Sequence, residues 1–195
     1  MDIVDAQSWK SLTNKKIYLS KTESLPTAKV EVDAGVSYHN VWRIIQLPVL
    51  ESSMRDIMYL LVHNKLPVRE RLYRAGLVND PNCNACPSLP VCDKAHYFTS
   101  CVRVSNVWNE VKQKIVHLLG FNVVDDALIN LTFPKCKMES EIVWLLGHYF
   151  ALAWTELYIK GGDEFKGDKF FGFLRFKYKA DQLGSRQKLH YIPGL

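Results

Sequence analysis

The sequence predicts a mainly α-helical fold interrupted by one compact loop, and three observations carry that prediction. Apolar residues recur at helical spacing in two stretches, Met54, Ile57, Met58 and Leu61, then Val104, Val107, Trp108, Val111, Ile115 and Leu118. Between them lies the pattern Cys83-x2-Cys86-x9-His96-x4-Cys101, in a segment too rich in proline for a helix or strand. Residues 142–159 form a largely apolar run that ends at Gly161-Gly162, as a long packed helix does.

The N-terminal fifty residues predict a helix over 9–19, an extended piece over 28–32 and a helix over 38–46. From residue 51 a helix starts, with Ser53 and Asp56 in capping-box relation. Pro67 opens a short basic helix over 68–75, which Gly76 stops. Asp93 stands where an N-cap starts the next helix, with His96 in its first turn and Cys101 about a turn later. One continuous helix is expected from there to Gly120, carrying half of the ligand set and an apolar core edge. Residues 121–137 read as a loop or short extended piece punctuated by Phe133-Pro134.

The next helix, expected over 140–160, is apolar around much of its circumference through Trp144, Leu145, Tyr149, Leu152 and Trp154. His148, Thr155 and Glu156 within it, and its length at the short end for a span, favour a core helix over a membrane crossing. A last helix is expected over 169–183. Residues 1–120 are taken as a metal-binding region with flanking helices. Residues 121–195 are taken as a C-terminal helical region, whether within the same domain or beside it.

Four soft or borderline ligands at these spacings can close on one tetrahedral zinc ion. Cys83, Cys86, His96 and Cys101 are therefore the expected ligands, and the fold class is a helical domain with a structural zinc knuckle. Cys92 lies inside the loop and is the alternative to one of the four. A set of four protein ligands leaves no position for water, so the expected role is structural and not catalytic.

A hydrophobic fraction of 48 % with 12 % aromatics excludes a disordered chain, and 195 residues suffice for one domain, with or without an appended subdomain. Five cysteines, four of them in ligand spacing, favour a reducing compartment, nucleus or cytoplasm, over a disulfide framework. The segment Met1-Asp2-Ile3-Val4-Asp5 has no basic stretch followed by an apolar core, so secretion is not expected. No membrane partner is expected. The formal charge of +5 gives a modest excess of cations for a polyanion.

No catalytic residue is expected. Asp125-Asp126 follow Val123-Val124 without the aromatic residue or third carboxylate of a polymerase site, and read as a turn or helix cap. Gly161-Gly162 and Gly167 lack the ending of a phosphate loop. His148 and Glu156 are two helical turns apart, too far for an acid/base pair. Cys136, between Lys135 and Lys137, would have a lowered pKa if exposed, but no base accompanies it.

Two cationic stretches are candidates for polyanion contact. The first holds Lys65, Arg69, Arg71 and Arg74; the second holds Lys166, Lys169, Arg175, Lys177 and Lys179, interleaved with phenylalanines and tyrosines. Cations neutralise phosphates and exposed aromatics stack on unpaired bases. The competing reading makes the aromatics core and the cations the outward side of an amphipathic helix.

Residues 42–108 resemble the zinc-binding domain found after the polymerase in reverse transcriptases of non-LTR retrotransposons. The matching elements are Trp42-Arg43-Ile44-Ile45, the run from Arg55 through His63-Asn64-Lys65-Leu66-Pro67, then Arg71-Leu72-Tyr73-Arg74-Ala75-Gly76, the four ligands, and Trp108 beyond them. Lys16-Ile17-Tyr18 is similar to a weaker part of the pattern. The resemblance implies a structural zinc and a region that helps hold RNA or target DNA, with a larger retroelement protein as a possible partner. Neither a polymerase palm nor an endonuclease motif is recognisable. The expectation is an accessory nucleic-acid-binding module, RNA or single-stranded regions favoured, and not an enzyme in its own right. The alternative is a relic protein-interaction module in which zinc serves only the fold.

Overall fold

The computed structural model describes residues 38–184, 189–190, 192 and 194–195; the helix expected over 9–19 and the extended piece over 28–32 lie outside them. The described residues are mainly helical, as expected. In chain order they form α1 (Tyr38–Ile45), α2 (Ser52–Val62), α3 (Arg69–Arg74), one π-helical turn (His96–Ser100), α4 (Ser105–Leu119), α5 (Asp125–Ile129), α6 (Glu139–Trp154) and α7 (Gly167–Gly184). A second π-helical turn, Thr155–Ile159, prolongs α6. The strand-like pairing among the described residues is an isolated antiparallel bridge between Asn82 and Val91.

The core is organised around α6. Ile142, Val143, Trp144, Leu145, Leu146, Tyr149 and Phe150 on this helix are fully buried. Such all-round burial requires partners on several sides, and α2, α4 and α7 supply them. Met54, Met58 and Leu61 make the buried edge of α2; Val107, Trp108, Val111 and Ile115 make that of α4. The closest approach is at Gly147, where a Cβ would lie 2.5 Å from Leu50 Cδ2. Arg43 and Glu139 pair through both ends of the guanidinium fork, one contact being 2.7 Å, and tie α1 to the start of α6. Glu139–Ile159 is long and apolar enough to cross a membrane, but most of it is buried against the rest of the protein.

Five expectations are corrected. The helix expected from Asp93 to Gly120 is broken at Cys101, whose backbone is extended (φ −63°, ψ 136°), and α4 begins only at Ser105. The Ser53–Asp56 capping box is not made: Glu51 is the N-cap of α2, without a side-chain cap bond. Residues 121–137 contain α5, with Asp125 and Asp126 in its first turn, where carboxylates favour the helix dipole. The helices on either side of the loop, expected to pack on each other, do not form a principal pair; α3 has no buried residue, whereas α2 and α4 converge on α6. Leu152 is only half-buried and lines a surface groove between α6 and α7.

His148 is buried on α6, its ring 4.3 Å from that of Trp144 and its Nδ1 2.9 Å from the Trp144 carbonyl oxygen, to which it donates. Burial lowers its pKa below the ordinary 6.5, against the opposing pull of the Trp144 carbonyl, Glu51 and Asp181; Lys177 lowers it further. The unfolded chain therefore binds this proton more readily than the folded one. Its contribution to stability is complete above pH 6.5 and declines as the pH falls through 6.5 toward the folded-state value. Thermal melts between pH 7.5 and 5 should show a falling midpoint, and His148→Phe should flatten that decline. An unchanged slope in the variant would assign the pH dependence elsewhere.

Candidate metal centre

The first half of the centre is a loop closed at its base by backbone bonds. The N–H of Cys83 donates to the Pro90 carbonyl at 2.7 Å, and that of Cys92 to the Pro81 carbonyl at 2.9 Å. Pro87 follows Cys86, and Leu89 N–H donates back to the Cys86 carbonyl at 3.0 Å. Leu89 closes this turn with φ +45°, a left-handed conformation that costs a leucine energy.

The second half begins at Asp93, whose Oδ1 accepts the His96 N–H at 2.7 Å, the N-cap bond expected from the sequence. Residues five apart project about 140° apart around an α-helix. The π-helical turn narrows that separation: Cys101 N–H donates to the His96 carbonyl at 2.9 Å, closing an i→i+5 ring. His96 and Cys101 thus reach the same point. The turn rests on the core through Phe98, which is fully buried and whose carbonyl accepts the Tyr149 hydroxyl at 2.6 Å.

The four expected ligands converge. All are buried, and their ligand atoms lie within 4.8 Å of one another. Cys83 Sγ is 3.8 Å from Cys101 Sγ, Cys86 Sγ is 3.9 Å from Cys101 Sγ, and Cys86 Sγ is 3.5 Å from His96 Nε2. A tetrahedron with metal–sulfur bonds of about 2.3 Å and a metal–nitrogen bond of about 2.05 Å has S–S edges of about 3.8 Å and S–N edges of about 3.5 Å. These side chains have the separations of ligands around one four-coordinate ion, and together they could hold a metal.

The surroundings prepare the ligands. Ser100 Oγ lies 3.0 Å from His96 Nδ1, holding the ring so that Nε2 faces inward. Val102 N–H donates to Cys86 Sγ at 3.5 Å. Burial pushes the Cys83 thiol up, but hydrogen bonds from the Ala85 and Cys86 backbone and from His96 and Cys101 outweigh it, bringing its pKa down to about 6. Burial raises that of Cys101, opposed by hydrogen bonds from the backbone and side chain of Arg103. The Arg103 guanidinium bonds to the Cys101 thiol and would offset negative charge on the cluster. Ser100 and Arg103 escaped the sequence reading, although their offsets from His96 and Cys101 put them within reach. Cys92 is buried outside the cluster, and burial, followed by the charge of Cys83, pushes its pKa up to about 12.

The three arginines of the first group already have internal partners. Arg69 Nη2 is 3.6 Å from Asp80 Oδ2, Arg71 donates to the Asn64 carbonyl at 2.7 Å, and Arg74 pairs with Glu70. Arg74 nevertheless keeps 70 % of its side chain exposed, and Lys65 is exposed as well. On α7 the interleaved residues separate by face. Phe170, Phe171 and Leu174 are buried, Phe176 points outward, and Phe173 is partly exposed with its ring 5.9 Å from that of buried His148. Lys166, Lys169, Arg175 and Lys179 are exposed and have no carboxylate partner among the described residues; Lys177 is held by Glu51 at 2.6 Å and by Asp181. Asp125 accepts from Trp108 Nε1 at 3.1 Å and pairs with Lys112 at 2.8 Å, an anchor between α4 and α5. The Cys136 thiol is raised by burial and not lowered by its neighbouring lysines.

Comparison of the chain with protein-family models, with curated proteins and with solved structures finds no match.

Proposed function

We propose that Cys83, Cys86, His96 and Cys101 hold a structural zinc ion, and that the chain is an accessory nucleic-acid-binding module of the kind its resemblance to non-LTR reverse transcriptases implies. Three thiolates and an imidazole suit zinc, whereas magnesium and calcium require oxygen ligands. The bound ion would fix the loop against the π-helical turn, and no chemistry on a substrate is assigned to it. On this reading the chain is not an enzyme.

The observation that carries nucleic-acid binding is the group Lys166, Lys169, Arg175 and Lys179, exposed cations without a carboxylate partner among the described residues. A polyphosphate would give these cations the ion pairs they do not make among the described residues. The arginines of α3 contribute less, since Arg71 must leave the Asn64 carbonyl and Arg74 must share Glu70. Titration with oligonucleotides at several salt concentrations tests this. Replacing Lys169, Arg175 and Lys179 by alanine should flatten the log–log salt slope by about 0.7 to 1 unit for each phosphate no longer neutralised, for every sequence alike. Arg71→Ala with Arg74→Ala should flatten it by no more than about one to two units. Binding without salt dependence would overturn the reading.

A second reading, a protein-docking module, is favoured by the apolar surface beside the centre. Leu89, Val91 and Val102 are exposed there, and Leu89 and Val102 both bond to Cys86.

A further inference from the structure

The outward side of α7 carries two phenylalanines that core packing leaves exposed. Phe173 is 41 % and Phe176 72 % exposed. They lie three residues apart, a rise of about 4.5 Å along the helix. Gly172 lies beside them on the same face, and a Cβ there would meet nothing within 4 Å, so the approach to the rings is open. Lys166 and Lys169 stand beside Phe173 and Lys179 lies one turn beyond Phe176, whereas Arg175 borders a separate pocket with Glu110 and Asp168. At the Phe173 end the face runs into a groove of about 220 Å³. Phe165, Phe170 and Phe173 line it, with Glu164, Lys166 and Lys169 among its polar lining. Glu164 makes no ion pair among the described residues; Glu156, also at the groove, is held by Lys160 at 2.6 Å.

We infer that this face and groove bind an unpaired polynucleotide strand, with one base in the groove beside Phe173, the next stacked on Phe176, and the flanking cations on its phosphates. The inference rests on the nucleic-acid reading and narrows it to single strands. Flat apolar rings beside Lys166, Lys169 and Lys179, which make no ion pair among the described residues, match a chain that alternates planar bases with anionic phosphates. A duplex hides its base faces and could use only the cations. A lipid surface fits less well, since the apolar area is two side chains wide and the groove beside it contains carboxylates. Glu164 can accept from the exocyclic amino group of a base, which an acyl chain lacks.

The test uses the full, metal-loaded chain and fluorescence anisotropy with labelled oligo(A) in RNA and DNA form, a duplex of equal length, and vesicles rich in phosphatidylserine. Single strands should bind in preference to the duplex. Phe176→Leu keeps an apolar side chain and removes the π-face; it should weaken single-strand binding about 5- to 150-fold, and Phe176→Trp should preserve it. Since Phe176 is exposed, both variants should melt like the parent. If the parent binds single strands and Phe176→Leu binds them equally well, the stacking site is wrong while the nucleic-acid reading stands. If the parent binds no nucleic acid, both fall. Binding to the vesicles in place of the oligonucleotides would assign the face to a membrane surface and overturn the proposal.

Discussion

Cys101→Ser should reduce the metal content of the purified protein from one zinc per chain to near zero, and Cys83→Ser should do the same. Each removes one of four mutually adjacent buried ligand atoms. Ligation by a structural zinc supplies on the order of 10 kcal/mol in isolated finger peptides. Only part of that should appear as reduced global stability, because α6 and the helices packed on it bury their own core. Cys92→Ser is the control. Its thiol lies outside the cluster with its pKa raised by burial, and the variant should keep the metal. Metal analysis after preparation without chelator decides the matter: zinc-free parent protein, or a Cys92→Ser variant that loses the ion, would refute the ligand assignment.

Phe150→Ala should cost about 3 to 5 kcal/mol in urea unfolding, the range for a large buried aromatic replaced by a cavity. Phe150 is fully buried, with ring centroids 5.2 Å from Phe98 and 6.3 Å from Trp108. Those ring pairs join α6 to the π-helical turn of the metal centre and to α4. Leu152→Ala, two residues along the same helix, should cost less than about 2 kcal/mol, because that side chain borders the open groove and its removal leaves no closed cavity. Equal effects at the two positions would mean that the burial pattern of α6 is wrong.

The helices were legible because apolar periodicity records which side of a helix meets the core. Met54, Met58 and Leu61 of the first stripe and Val104, Val107, Trp108, Val111 and Ile115 of the second are buried as their spacing implied, while Ile57 and Leu118 at the stripe edges are only half-buried. The cluster of Cys83, Cys86, His96 and Cys101 was legible because cysteine pairs at short spacing have few other uses in a chain of this composition. The path between the ligands was hidden. Sequence periodicity assumes one helix type, whereas His96 and Cys101 need the wider π-turn and then a break to face one point. Leu152 shows a related limit. An apolar residue on an apolar helix reads as core, and only the position of α7 decides that it borders a groove. The arginines of α3 were chosen for charge alone, and charge does not reveal that Asn64, Glu70 and Asp80 already engage them.

The two halves of the candidate metal centre are anchored very differently, which would set an order of events if an ion is bound. His96 and Cys101 flank Phe98, which the core grips through its burial and through Tyr149, so this pair is in position once the helices have folded. Cys83 and Cys86 sit on a loop held by a short bridge and a few backbone bonds. The ion would then work as a latch and not as a nucleus: the helical body assembles first, capture comes second, and stripping the ion frees one flap. Limited proteolysis of chelated protein should accordingly nick residues 81–92 early, while the body around α6 survives as a resistant remainder.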